Sequence, residues 1–141
     1  MFEKHTNVEI RLMQWRDVRK HASSEADVLS AFSEIKPRYR YIDYYNPQDW
    51  YNPFELLEHG CFCTTGISIL LYHTLANLSY IDTEHVDWKV ISNHITGHEG
   101  AVFSYNNYFY NVVPGKKIRE YELVEHATIM AELGPIKIDL I

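Results

Sequence analysis

Residues 50–78 read WYNPFELLEHGCFCTTGISILLYHTLANL, and this stretch decides how the rest of the chain is interpreted. Asn52 is a helix-capping residue, Pro53 suits a first helical position, and Glu55 stands three residues after Asn52, the spacing of a capping box. Leu56 and Leu57 give this short helix an apolar side, and His59-Gly60 is a stop signal. Cys61 and Cys63 follow. From Ile67 onward, Ile67, Leu70, Leu71, Leu75 and Leu78 recur at helical spacing. The pattern predicts a short capped helix, a glycine turn, and Cys63 at the N-terminus of a core helix. Unpaired N–H groups and the positive end of the helix dipole favour a thiolate at such a position. A small buried thiol with no chemistry is the plainer reading of any cysteine.

The chain of 141 residues is long enough for one domain with a real core, and we expect a single domain over 1–141. Hydrophobic residues make up 46% of it, which argues against disorder. The net charge of −6 argues against a nucleic-acid groove, which needs a cationic face. No apolar run reaches the ~20 residues of a membrane-spanning helix, and the N-terminus has no signal-peptide core. A cytoplasmic protein without a membrane partner is expected. Cys61 and Cys63 form C-x-C, too short for an unstrained disulfide, so two thiols are expected.

Either side of the central stretch, the order is helices first and strands second. Val8, Leu12, Trp15 and Arg19 are helically spaced, with Arg11, Arg16, Arg19 and Lys20 expected on a solvated face. Ser24 caps a second helix whose apolar side is Val28, Leu29, Phe32 and Ile35, and which Pro37 is expected to stop. Residues 38–53 are an aromatic, loop-like tract whose tyrosines either lid the core or line a pocket. After the cysteine helix comes a strand burying Val86, Trp88, Val90 and Ile91, then a His- and Gly-rich loop. AVFSY and YFYNVV, joined by Asn106-Asn107, read as a β-hairpin. Residues 119–133 read as a helix, and Ile136, Ile138 and Leu140 as the buried side of a last strand. The expected fold class is α+β, with N-terminal helices and the cysteine-bearing helix packed on an antiparallel sheet.

A thiol nucleophile needs a base, and the base needs an orienting group. His98 follows Gly97 and opens the strand Ala101–Tyr105, where its ring would be held rigidly. The third member is sought on the paired strand, where Asn111 and Val113 share a face by the period-two rule. Asn111 can accept a hydrogen bond from an imidazole N–H, or donate one, but it brings no carboxylate charge. Asp139, Glu120 and Glu122 are acids that the sequence does not place.

At these residues the chain resembles the transglutaminase-like branch of the papain-like cysteine peptidase superfamily. The resemblance rests on Trp50, Pro53, Glu55 and Leu57 before Gly60 and Cys63, the helix from Thr64 to Leu78, His98 opening a strand, and FYNVVPG at 109–115. It covers about residues 50–115, with 35 residues from Cys63 to His98. It implies a papain/transglutaminase-like core and acyl transfer on an amide bond, with Cys63 as nucleophile, His98 as proton carrier and Asn111 in the third place. The family's Asp-Pro is Val113-Pro114 here, and its glycine two before the nucleophile is Cys61. Cys63 is preferred over Cys61 because it shares a helical face with Ile67, Leu70 and Leu71. The resemblance implies an oxyanion site made by the Cys63 backbone N–H and a nearby side chain, for which Gln48 is the candidate. The implied substrate is a protein or peptide with an amide side chain or backbone amide, and no cofactor is called for. Water as acceptor makes the protein a peptidase or deamidase, and an amine makes it a transamidase.

Three other readings compete. An NlpC/P60-like amidase shares the His-x-Gly strand, the hairpin and a third polar residue, but has its cysteine motif one residue out of step with Phe62-Cys63-Thr64-Thr65-Gly66. A zinc site of Cys61, Cys63, His94 and His98 has the right ligand types, yet C-x-C is tighter than the usual spacing. A non-catalytic binding or inhibitory protein that keeps the fold is favoured by the missing carboxylate. The remaining histidines, His73 included, read as surface or structural.

Overall fold

A computed structural model describes residues 1–38 and 42–136. Its helices are α1 (Val8–His21), α2 (Glu25–Phe32), α3 (Pro53–His59), α4 (Thr64–Asn77) and the one-turn α5 (Leu123–His126). Its strands are β1 (Asp87–Asn93), β2 (Glu99–Tyr105), β3 (Tyr108–Tyr110), β4 (Lys117–Arg119) and β5 (Ala127–Gly134). They form one sheet in the order β4-β3-β2-β1-β5, with every neighbouring pair antiparallel. The expected α+β architecture is thus present, with α1–α4 grouped on one face of the sheet and α5 on the other.

Local chemistry explains the helix starts. The side chains of Asn7 and Ser24 accept from the N–H groups of Ile10 and Asp27, capping α1 and α2. At α3 both halves of the capping box form: Asn52 Oδ1 accepts from Glu55 N at 2.9 Å, and Glu55 Oε1 accepts from Asn52 N at 3.1 Å. Gly60 then closes α3 in the left-handed region, with φ 65°. In α4, eleven consecutive residues from Thr65 to Leu75 are buried, so this helix is core on every side.

The sheet separates two apolar clusters. Trp88, Ala101, Phe103 and Tyr110 face the helices and meet Leu56, Leu57, Ile69, Leu70 and Tyr72. Burial of each such large side chain is worth roughly 1.5–3 kcal/mol. On the opposite face Ile91, Val102, Phe109, Val112 and Ile118 are covered by Leu123 and Ala127. The four burial candidates of that segment, Val86, Trp88, Val90 and Ile91, are all buried.

Several expectations need correction. Residues 119–133 do not make a helix: a 3-10 turn at Glu120–Glu122 and the short α5 lead into β5, which pairs with β1. Glu, Ala, Leu and Met in this segment favour helix intrinsically, and the open edge of β1 overrides that preference. The second hairpin strand stops at Tyr110, short of the expected Val113. The α2 helix ends at Phe32, before Pro37 could stop it. Arg11 and Arg19 leave the solvated face: Arg11 Nη1 donates to Leu57 O at 2.8 Å, and the Arg19 guanidinium lies 3.9 Å from the Trp15 ring centre. The expected strand at 136–140 lies outside the described residues apart from Ile136, and the tyrosine tract is described only from Ile42 onward. In that tract Trp50 is buried and donates through Nε1 to Asp43 O at 3.0 Å, while Tyr44 OH donates to Glu99 Oε2 at 2.9 Å.

Candidate active site

Cys63 is the N-cap of α4. Its backbone is extended, and Sγ accepts a hydrogen bond from Gly66 N at 3.4 Å. A sulfur here replaces the hydroxyl or carboxylate that normally satisfies a helix's first N–H groups. The side chain is nearly enclosed, at 8% exposure. The turn leading into it is tightly built. Phe62 stacks on Phe2 at 5.0 Å, and its carbonyl accepts from Arg38 N at 2.8 Å. The guanidinium groups of Arg38 and Arg11 lie 5.5 and 5.7 Å from the Phe62 ring centre, so two cations flank the residue between the cysteines. Cys61 is buried beneath α4. Its carbonyl fills the space a side chain at Gly66 would need: a Cβ there would stand 1.9 Å from Cys61 O.

His98 sits at the base of the turn that joins β1 to β2. Asn93 organises that turn. Asn93 Oδ1 accepts from Ile95 N and Thr96 N at 2.8 and 3.1 Å, its carbonyl accepts from Gly97 N at 2.8 Å, and its N–H donates to His98 O at 2.9 Å. Two residues on, Gly100 lies against the start of α4. A Cβ at Gly100 would come within 2.7 Å of Thr64 Cβ. Next to it Ala101 N donates to the buried Thr65 Oγ1 at 3.0 Å. The strand that follows His98 is therefore fastened to the first turn of the helix that Cys63 caps.

Asn111 reaches the same helix by a route other than the expected strand face. It follows β3, with φ 68°, in the left-handed region that Asn tolerates better than most residues. Its buried side chain donates through Nδ2 to Thr64 O at 3.1 Å and Ser68 Oγ at 2.8 Å. Because a carbonyl can only accept, Thr64 O fixes which way the amide is turned, and Oδ1 is the atom left facing away from these two partners. Asn93 Nδ2 completes the frame by donating to Val112 O at 3.1 Å, which ties the His98 turn to the Asn111 loop.

Thr64, His98 and Asn111 line one pocket of about 70 Å³, together with Asn93 and an apolar wall that includes Phe32, Ile35, Ile67 and Pro114. Cys63 adjoins Thr64 in the chain but is not part of the lining. Gln48 is exposed on the 3-10 turn Pro47–Asp49 and does not line this pocket. The zinc set does not assemble: His94 Nε2 is 2.8 Å from Thr128 Oγ1 on β5, and among the described residues no three His, Cys, Asp or Glu side chains are placed to hold a metal ion. Asn93, Thr65 and Ser68 were not singled out from the sequence. An Asn ahead of a Gly-containing turn was the one available signal, and it marks a turn rather than a site.

The cysteine-capped α4, buried against an antiparallel sheet, gives an α+β fold consistent with the expected papain/transglutaminase-like core. Among solved structures, calcium-bound LapG of Legionella pneumophila has a similar fold, with a TM-score of 0.66 over 92% of this chain and 77% of the LapG chain. The sequences are 12% identical, so the likeness is one of fold. No family model and no curated protein matches the sequence. The first turn of α4 carries no acidic residue, and with no suitable cluster among the described residues the calcium remains a property of LapG.

Proposed function

We propose that this chain is a cysteine-dependent acyl-transfer catalyst acting on an amide bond of a protein or peptide. The observation that carries this reading is the juxtaposition at one helix end: Cys63 caps α4 through its sulfur, while His98 and Asn111 line a single pocket against Thr64. The likeness to LapG supports it at the level of fold alone. The Cys63 thiolate attacks the amide carbonyl carbon, forming the C–S bond. His98, carrying the proton, gives it to the nitrogen as the C–N bond breaks. Water then attacks the thioester, the C–S bond breaks, and an acid and the thiol are released. An amine in place of water gives a transferred amide. The Cys63 backbone N–H is the main-chain donor for the oxyanion. Asn111, its Nδ2 committed to α4, offers Oδ1 as acceptor for an imidazole N–H and so would select the tautomer of His98.

A non-catalytic binding protein is the second reading. It is favoured by the near-complete enclosure of Cys63 and its absence from the pocket wall. One experiment separates the two. The rate of iodoacetamide alkylation is followed against pH for wild type, Cys63→Ser, Cys61→Ser and His98→Ala. The catalytic reading expects fast neutral-pH alkylation that disappears in Cys63→Ser, survives in Cys61→Ser, and slows by on the order of tenfold or more in His98→Ala. Alkylation that titrates near the ordinary thiol value of ~8.5, indifferent to His98, would leave the binding protein.

A further inference from the structure

Nothing in the proposed chemistry explains what holds the cysteine and the histidine at a working distance, since they belong to different elements. Those elements meet at one polar joint. Thr65 is fully buried, and its Oγ1 accepts from the backbone N–H of Ala101 at 3.0 Å. That N–H belongs to the strand that starts just after His98. The contact stands two residues after Cys63 on one side and three after His98 on the other. Gly100 lets the backbones approach, because a Cβ there would meet Thr64 Cβ at 2.7 Å and Thr64 Cγ2 at 3.0 Å. On the far side of the helix turn, Asn111 grips Thr64 O and Ser68 Oγ. The first turn of α4 is thus held between β2 and the Asn111 loop, and Thr65 makes the joint on the His98 side.

We infer that Thr65 is a positioning residue for the Cys63–His98 pair, setting their separation through its hydrogen bond to Ala101 N. This inference rests on the catalytic reading of the site. A hydroxyl oxygen at this point is required as an acceptor only. Serine keeps it, whereas valine keeps the volume and removes it. Losing the bond frees β2 to shift relative to α4, and displacements of about 1 Å at a reacting pair cost on the order of a hundredfold.

The test is the pH profile of Cys63 alkylation in Thr65→Val and Thr65→Ser, with thermal melting recorded for each. Thr65→Val is expected to slow neutral-pH alkylation roughly tenfold to a hundredfold and to abolish its dependence on His98. Thr65→Ser is expected to restore both. A purely structural role predicts a lower melting temperature for Thr65→Val with the wild-type pH profile intact, and that result overturns the inference. Should Thr65→Val not fold, Gly100→Ala separates the same two elements with Thr65 Oγ1 still present. It is expected to cause the same loss, and a wild-type profile in it likewise overturns the inference. Failure of the catalytic reading shows up separately, as a wild-type profile already indifferent to His98→Ala.

Discussion

Asn111 shows how much one residue can hold. Its amide spans two hydrogen bonds to α4, and its backbone occupies the left-handed region. These two demands can be separated by substitution. Asn111→Gly loses the side-chain bonds but keeps the backbone at ease. Asn111→Ala loses the bonds and adds roughly 1–2 kcal/mol of left-handed strain. Leaving a buried partner unsatisfied costs about 1–3 kcal/mol. Urea unfolding should therefore place Asn111→Ala below Asn111→Gly by about 1 kcal/mol, with both below wild type. Equal stability of the two variants would show that the chain does not keep this backbone conformation. The identity of Asn111 as a polar partner was legible from its type and from its distance to the hairpin. Its route to the helix was not, because a strand reading assigns a face by alternation and β3 ends one residue earlier.

Among the elements, α3 and α4 were legible almost residue by residue, because their ends are decided by contacts within a few positions. Asn52, Pro53, Glu55 and Gly60 each act on the helix they border. With seven residues, α3 has few internal hydrogen bonds, so its cap carries a large share of its stability. Asn52→Ala should destabilise the protein by about 1 kcal/mol, measured as a lower urea midpoint at unchanged slope. No loss would mean that the packing of Leu56 and Leu57 alone holds the helix. β5 is the opposite case. Its residues suit a helix when read in isolation, and it is a strand because β1 leaves an edge for it to pair with. Long-range pairing is invisible to local pattern, and the misreading of 119–133 follows directly from that.

The whole molecule is closed at the other end of the sheet by a polar link from the helical layer to the hairpin. Tyr110 OH donates to Glu25 Oε2 at 3.2 Å, and Glu25 Oε1 pairs with Lys117 Nζ at 2.7 Å. The two contacts join α2 to β3 and β4. Burial, reinforced by the negative charge of Glu25, pushes the Tyr110 hydroxyl well above the usual tyrosine range. In the unfolded chain it ionises near the ordinary ~10. The unfolded state therefore gives up its proton first. The stabilisation is complete below that pH and is lost as pH rises past it toward the folded value. Urea midpoints measured from pH 8 to 11 should fall more steeply for wild type than for Tyr110→Phe above about pH 10. Parallel curves would show that Tyr110 ionises as freely in the folded protein as in the unfolded one.

The capped entry into a cysteine-headed core helix, the α+β class, the Asn106-Asn107 hairpin turn, whose two residues both stand at positive φ, and the burial of the β1 segment were all legible along the chain. All of these follow from contacts a few residues apart or from a repeated apolar period, both of which are written along the chain. The strand state of β5, the grip of Asn111 on Thr64 and Ser68, and the contact of Thr65 with Ala101 come from long-range packing. Such contacts join residues tens of positions apart, and a buried hydroxyl or amide carries no mark in the sequence of the distant backbone group that will satisfy it.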